Sequence, residues 1–513
     1  MKKYIQSMMA FAAIVSFASC SSEDNNTTIE NESATKVMTF TATQEGNEAS
    51  TRAILSGTNI HWESKDKISL LYSSENKQFT LTGGAGSTSG KFSGVAEQST
   101  SYTAVYPYQE NASLSGDDVT NVTLPATQTA TDNSFDKNAA LMMAQSNSTT
   151  LNFKNAVSFV KVTPQFDCTK IELEAAEGSS DILAGKGTLN WNGGNPKINI
   201  TEETSKTITL NGSIAKDKSY YIVVPTGTLN RMWKITFTAY DGKKYTRYSS
   251  KLLTIERNKI INLGNFATDS PFWADEHRGN KVTYEQEVDL GLTITGSDNK
   301  KYKVIFANAN LTTTGLAENE YDYGDYFAWG AREPWYSSAT RTWKDGKSDG
   351  YTQANAPLYD GTSYTKYTNQ YDVLEAADDA ARQILGGDWQ IPTQAIWQAL
   401  YDANKDKVYW GPEGNKALET TTSGIQGIKI SKKEDSNTYI FLPAAGRFYE
   451  TSSENVGAGY YWSGTAEIIW YGMAYSYSLY FESATLRAQN ADNRYYGLSV
   501  RPMRLVEVSE SQQ

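Results

Sequence analysis

The residues of this chain best suited to chemistry are aromatic rings set beside amides and charges near its C-terminal end. Trp470 and Tyr471 close the run Glu467 to Tyr471 (EIIWY), and Arg487, Asn490, Asp492 and Asn493 lie in the run Arg487 to Tyr495 (RAQNADNRY). Aromatic faces stack on the C–H side of a sugar ring, while amide, carboxylate and guanidinium groups pair with hydroxyls. The mixture therefore points to a binding site for a glycan or a surface protein. Trp470 and Tyr471 are the expected stacking groups, and Arg487, Asn490, Asp492 and Asn493 the expected polar contacts. Both runs are expected to be loops that emerge on neighbouring edges of a small sheet.

Groups that would turn a ligand over are missing from the same region. The chain has two histidines, His61 and His277, which fall in an expected strand and an expected linker. There is no HExxH, no cysteine pair and no EF-hand spacing, so neither a metal nor a cofactor is expected. A Ser-His-Asp set would have to borrow a histidine from outside the C-terminal region, and no catalytic residue is assigned. Cys168 is expected to be a buried structural thiol. The glycine-rich run Gly83 to Lys91 imitates a phosphate loop, but Ala85 replaces the first required glycine and Phe92 stands where a hydroxyl would bind Mg²⁺. It is expected to join two strands. The net charge of −11 argues against a nucleic-acid partner, which needs a basic face. The residue types favour binding over catalysis, and no enzyme is expected.

At 513 residues the chain calls for about three domains. Residues 1–19 have the form of an export signal: Lys2 and Lys3, an apolar stretch from Met8 to Ala18, then small residues. Residues 20–36 begin with Cys20 and the acidic Ser21-Ser22-Glu23-Asp24-Asn25, and are expected to be a disordered tether. From Val37 to about Phe266 the pattern is strands and turns, which suits two β-sandwiches over 37–147 and 148–268. Within them Trp233, Ile235, Phe237 and Ala239 share one face, and Asp241-Gly242 supplies a hairpin turn. The polar run 269–283 is expected to be a linker. Beyond it, 23 of the 33 tyrosines and 8 of the 12 tryptophans lie at or after Tyr284. The third unit, 284–506, reads as α+β. Leu374, Ala377, Ala381 and Leu385 predict a helix over Val373 to Leu385, and Pro392-Thr393 opens a second with Ile396, Trp397 and Leu400 inward. Alternating strands follow from Phe441 to Pro502, with Trp329, Trp389, Trp397 and Trp462 expected in the core.

Two resemblances sharpen this reading. Phe17-Ala18-Ser19-Cys20 resembles a lipoprotein signal box, which implies cleavage before Cys20 and acylation of its thiol. Ser50-Thr51-Arg52-Ala53 with His61-Trp62, Lys65-Asp66-Lys67-Ile68, Tyr102 to Tyr108, Leu151-Asn152-Phe153-Lys154 and Tyr221 to Pro225 together resemble the fimbrillin family of Bacteroides-type bacteria. That resemblance implies two tandem transthyretin-like β-sandwiches. It also implies cutting at Arg52-Ala53, loss of the first strand, and partnership with other pilus subunits by donor-strand addition.

The third unit is similar to the Fibrobacter succinogenes major paralogous domain, a C-type-lectin-like module. The matching residues are Val288 to Leu292, Tyr323 to Gly330, Asp378 to Ala381, Gly387 to Thr393, Phe441 to Gly446, Tyr461-Trp462-Ser463 and Leu498 to Pro502. It departs from animal C-type lectins in lacking disulfides and a Glu-Pro-Asn or Gln-Pro-Asp calcium loop. Together the resemblances imply a lipid-anchored outer-membrane adhesin at a pilus tip, since some 220 residues follow the second sandwich instead of a free donor tail. A non-polymerising surface lipoprotein that captures glycans is the alternative, and a surface enzyme a more remote one.

Overall fold

The computed structural model describes residues 35–45, 61–338, 340–404, 418–483 and 485–508. Cys20, Arg52 and Ala53 lie outside them. Strands dominate throughout, as the β-branched and aromatic runs dictate.

The first unit is a closed barrel rather than an open sandwich. Its order around the wall begins with β1 (Lys36–Gln44) and returns to it. β1 runs antiparallel to Ser89–Ala96 and parallel to Thr150–Asn155. The strand Thr150–Asn155, beyond the expected break at 148, therefore completes the first unit. Alternation along β1 sends Met38, Phe40 and Ala42 into the core. His61 and Trp62 are not in a strand; the Trp62 ring nonetheless fills the barrel against Phe92, Tyr106 and Phe153. The Gly83 to Lys91 run joins Glu75–Gly83 to Ser89–Ala96, with no helix.

The second unit is a sandwich of a three-stranded and a five-stranded sheet around Val160, Ile171, Leu210, Ile222 and Phe237. It is interleaved with the first. The hairpin Ala184–Asn192 and Asn195–Ser205 pairs with Asp118–Leu124 from upstream, and Leu189 and Ile198 enter the first core. In return Thr127–Thr129 pairs with Thr207–Ile214. Shared sheets of this kind stiffen the pair, because one unit cannot rotate without breaking ladder hydrogen bonds of the other. Cys168 is buried, and burial pushes its thiol up to about 12, so it is unreactive at neutral pH.

The segment 269–283 is not a loose linker but a clamp. Trp273 packs on Phe166, Phe237, Tyr245 and Phe266 of the sandwich, and its Nε1 donates to the Ala267 carbonyl. A few residues on, the Trp389 indole donates to the Arg278 carbonyl, and Arg278 and Arg504 both pair with Glu287 in a buried ionic cluster. Gly279 and Gly387, both with positive φ, touch backbone to backbone; a Cβ on Gly279 would meet the Leu385 carbonyl at 2.6 Å. The chain thus leaves one core and enters the next within six residues.

His277 Nδ1 and Asp388 Oδ2 close this clamp at 2.7 Å on its exposed side. That hydrogen bond, then the Asp388 charge, raise the His277 pKa above 6.5. A raised histidine pKa stabilises docking fully below 6.5 and loses that contribution as pH rises through the folded value. Amide protection at Asp388, which donates to the His277 carbonyl, is therefore expected to fall as pH rises above 6.5, relative to a His277→Gln control. Protection that tracks the control at every pH would refute the pairing.

The third unit packs two helices against short antiparallel sheets. The predicted helix over Val373 to Leu385 is cut short: only Ala380–Leu385 (α1) is helical, after a 3₁₀ turn at Ala376–Asp378. The cause is competition. Tyr371 to Leu374 are drawn alongside the strand Gly459–Trp470, with Tyr371 N donating to Ala466 O and Leu374 N to Gly464 O. Asp379 then restarts the chain as the N-cap of α1. The second helix, Gln394–Asn404 (α2), forms as read, with Ile396, Trp397 and Leu400 buried. Trp329, Trp389, Trp397 and Trp462 are all core residues.

Candidate functional site

Both runs expected to be loops are strands. Glu467 to Trp470 finish the strand Gly459–Trp470, and Arg487 to Asn493 belong to Thr485–Asn493. Between them runs Met473–Glu482, giving a three-stranded antiparallel sheet. The sequence reading failed because polar residues alternate here with small ones; Ala488 and Asp492 are the buried members of the strand, and neither looks like a core residue.

The pleat sorts the candidates by face. Trp470 opposes Met473, Tyr475 opposes Asn493, and Tyr477 opposes Ala491, so these share the outer face. Ile468, two before Trp470, joins them. Asn490 opposes Ser478 and Asp492 opposes Ser476, on the other face. There they are consumed internally. Asp492 is buried, accepts from Ser478 Oγ at 2.6 Å and Asn490 Nδ2 at 2.8 Å, and pairs with Arg447 at 3.0 Å. Burial raises its pKa despite these partners. Arg487 is exposed but opposes Tyr480, about 20 Å along the strand from Asn493. Of the expected polar set, only Asn493 shares the face of the rings, where its Oδ1 is buried without a hydrogen bond.

The rings themselves gather at one hairpin tip. Trp470 is 63% and Tyr471 86% exposed, with ring centroids 5.0 Å apart. Ile468 and Met473 are exposed beside them. Tyr371, which the sequence reading missed, is 60% exposed and stacks on Tyr477 at 5.8 Å. Its position follows from the edge pairing that shortened the first helix. Burial above all, then the Tyr371 hydroxyl, push the Tyr477 phenol up to about 12, with the Glu467 charge adding to it.

The tip is a two-residue turn, Tyr471-Gly472, in which both residues have positive φ (50° and 79°). Such turns favour Asn-Gly, because a bulky side chain in the left-handed region costs about 1–2 kcal/mol. A tyrosine here, with its ring in solvent, is locally unfavourable and gains nothing from burial.

The other acids noted in the sequence are structural. Asp325 accepts from Thr313 and Ser338 across two loops, Asp378 from Lys366 and Tyr367, and Asp379 from Arg382 N and Ile391 N. Burial raises Asp379 to about 6 against those bonds. No group of three or more metal-ligating side chains occurs among the described residues.

No family model matches the chain, and no curated protein does. Several solved structures do. A fimbrial protein from Bacteroides ovatus is similar at 12% identity and TM-score 0.22, over 90% of this chain and 97% of that one. A candidate cell adhesion protein from the same species is similar at 16% identity and TM-score 0.31, over 47% and 95%. The tip fimbrial protein Mfa3 from Porphyromonas gingivalis, truncated at its C-terminus, is similar at 10% identity and TM-score 0.20, over 42% and 81%. Likenesses this distant leave function to be argued from the chain's own residues.

Proposed function

We propose that this chain is a surface adhesin of the fimbrillin type, anchored through Cys20 and carried at a pilus tip, whose C-type-lectin-like third unit grips its ligand with the aromatic hairpin. One observation carries this reading: of the large apolar side chains exposed among the described residues, Tyr371, Val373, Ile468, Trp470, Tyr471 and Met473 crowd onto one hairpin and the strand beside it. Water-exposed rings concentrated in one patch mark an interaction surface. The clamp at Trp273 and Arg278 supports the same role, since a gripping head must pass load to its stalk.

The strained Tyr471 supplies the test. Tyr471→Asn removes an exposed ring and relaxes the turn, so thermal stability of the third unit should rise by about 1 kcal/mol. Adhesion of beads coated with the chain to host-matrix and bacterial surfaces should fall at least tenfold, and fall again with Trp470→Ala. Adhesion unchanged in both variants, with the fold intact, would remove the site. Mass spectrometry of surface material separates the pilus form, cut at Arg52, from an intact acylated lipoprotein that never polymerises.

A further inference from the structure

We infer, resting on the adhesin reading above, that the aromatic hairpin grips a cationic protein surface, one presenting Lys or Arg side chains, rather than a sugar. Three observations lead there. The groups that would read sugar hydroxyls are turned away: Asn490 and Asp492 face inward and are spent on Ser478 and Arg447. The amides left near the rings are engaged, Gln370 with the Tyr477 hydroxyl and Gln353 with the Gly472 carbonyl. A sugar stacked on Trp470 would have its hydroxyls left to water.

The charges beside the rings are acidic. The pairing slips between Ala466 and Ile469, which oppose Ser476 and Ala474, so Glu467 and Ile468 together oppose Tyr475 on the outer face, and the Asp372 backbone carbonyl accepts from Ala466 N. Asp372 Oδ2 accepts from Asn369 N and Nδ2 and Glu467 Oε2 from Ile468 N, which leaves both carboxylates charged, and among the described residues neither is held in an ion pair. The cation that feels both is Arg494, which lies beneath the sheet, fully buried, with its guanidinium over Trp329 and bonded to the Tyr367 and Tyr475 carbonyls. It is walled off from any ligand. A surface carrying several cations would meet two separate ring pairs along this hairpin, Trp470 with Tyr471 at the tip and Tyr371 with Tyr477 further down, with the Glu467 charge acting on the Tyr477 phenol, and rings beside carboxylates hold guanidinium and ammonium groups. An acidic glycan would be repelled by the same two carboxylates.

The experiment uses the full chain and surfaces bearing oligo-arginine, oligo-lysine, their citrulline and acetyl-lysine counterparts, and panels of neutral and sialylated glycans. Retention is expected on oligo-arginine and oligo-lysine and on neither uncharged counterpart. It should weaken at least tenfold in Trp470→Ala and in the Asp372→Asn, Glu467→Gln pair, and stay unchanged in Glu177→Gln, an exposed acid of the second unit. Basic retention that survives Trp470→Ala would report only the net charge of −11 and overturn the inference. Retention on a glycan that ignores the two carboxylates would overturn it as well, while leaving the adhesin reading standing. Should no probe be retained although bead adhesion still depends on Trp470, the ligand class is wrong and the site is right.

Discussion

Replacing Arg501 by methionine is expected to destabilise the third unit by about 3 kcal/mol, although it removes a charge from the interior. Arg501 is fully buried. Its guanidinium donates to Asn310 Oδ1 at 3.0 Å, to the Ala307 carbonyl at 3.1 Å and to the Phe441 carbonyl at 2.6 Å. No carboxylate is among these partners. Burial depresses its pKa from 12.5 to about 10, so keeping the charge inside costs about 3 kcal/mol, which methionine would relieve. Against that relief stand three buried acceptors that lose their donor, each worth about 1–3 kcal/mol, or about 6 together. The acceptors win. They also come from three separate segments, so the loss loosens the strand Lys301–Ala307, the Asn310 loop and the strand Asp435–Pro443 at once. Arg501→Lys should fall between, because an ammonium cannot span all three acceptors as the planar fork does. Chemical denaturation followed by tryptophan fluorescence, to which Trp329, Trp335, Trp389, Trp397 and Trp462 are the buried reporters in this unit, reads the difference. A methionine variant as stable as the parent would show that the carbonyls are satisfied without Arg501.

That arginine illustrates what the sequence could disclose. The motif around Leu498 to Pro502 reads as a strand entering the core; it is buried, but it makes only isolated bridges before the strand Met503–Glu507. Trp389, Trp397 and Trp462 were legible as core because large rings have few places to go but inward. The strand-rich first half was legible from its alternation, and the hairpin at Asp241-Gly242 from its turn chemistry. What escaped were outcomes of competition between distant segments. Val373 to Leu385 carries a helical stripe, yet its first residues are captured by the open edge of Gly459–Trp470. The polar run at 269–283 looks like a tether, but Trp273 and Arg278 are anchors whose pockets are built from residues far away in the chain. The barrel of the first unit closes through Thr150–Asn155, a partner that no local pattern around β1 reveals.

The candidate site was half legible for a related reason. Trp470 and Tyr471 stand out in the sequence as rings set near amides and charges, and the structure leaves both in solvent. Asn490 and Asp492 were misassigned because their face depends on register, and a shift of one residue moves a side chain from ligand to core. Tyr371 carries no local signal; only its stacking on Tyr477 brings it into the patch.

Phe40→Ala is expected to cost the first unit about 3–5 kcal/mol, and the reason bears on assembly. Phe40 is fully buried, edge-on to Phe79 at 5.5 Å and to Tyr102 at 4.9 Å. With Met38 and Ala42 it is the part of β1 that enters the core, so β1 is held by these side chains and by ladders on both its edges. Removing β1 would expose both neighbouring edges and the floor it covered, a groove shaped for an extended peptide with alternating apolar residues. If cutting at Arg52-Ala53 releases β1 so that another subunit's strand can enter, a chain beginning at Ala53 should take up a synthetic Lys36–Gln44 peptide. The same peptide with Phe40→Ala should then bind more weakly by about two to three orders of magnitude, the equivalent of the lost burial. Fluorescence anisotropy of the labelled peptides measures both. Equal affinity for the two peptides would mean that the groove does not read β1 by its core residues. A shortened chain that stays monomeric and binds neither would mean that the barrel recloses without its first strand, and that strand exchange at this edge plays no part in assembly.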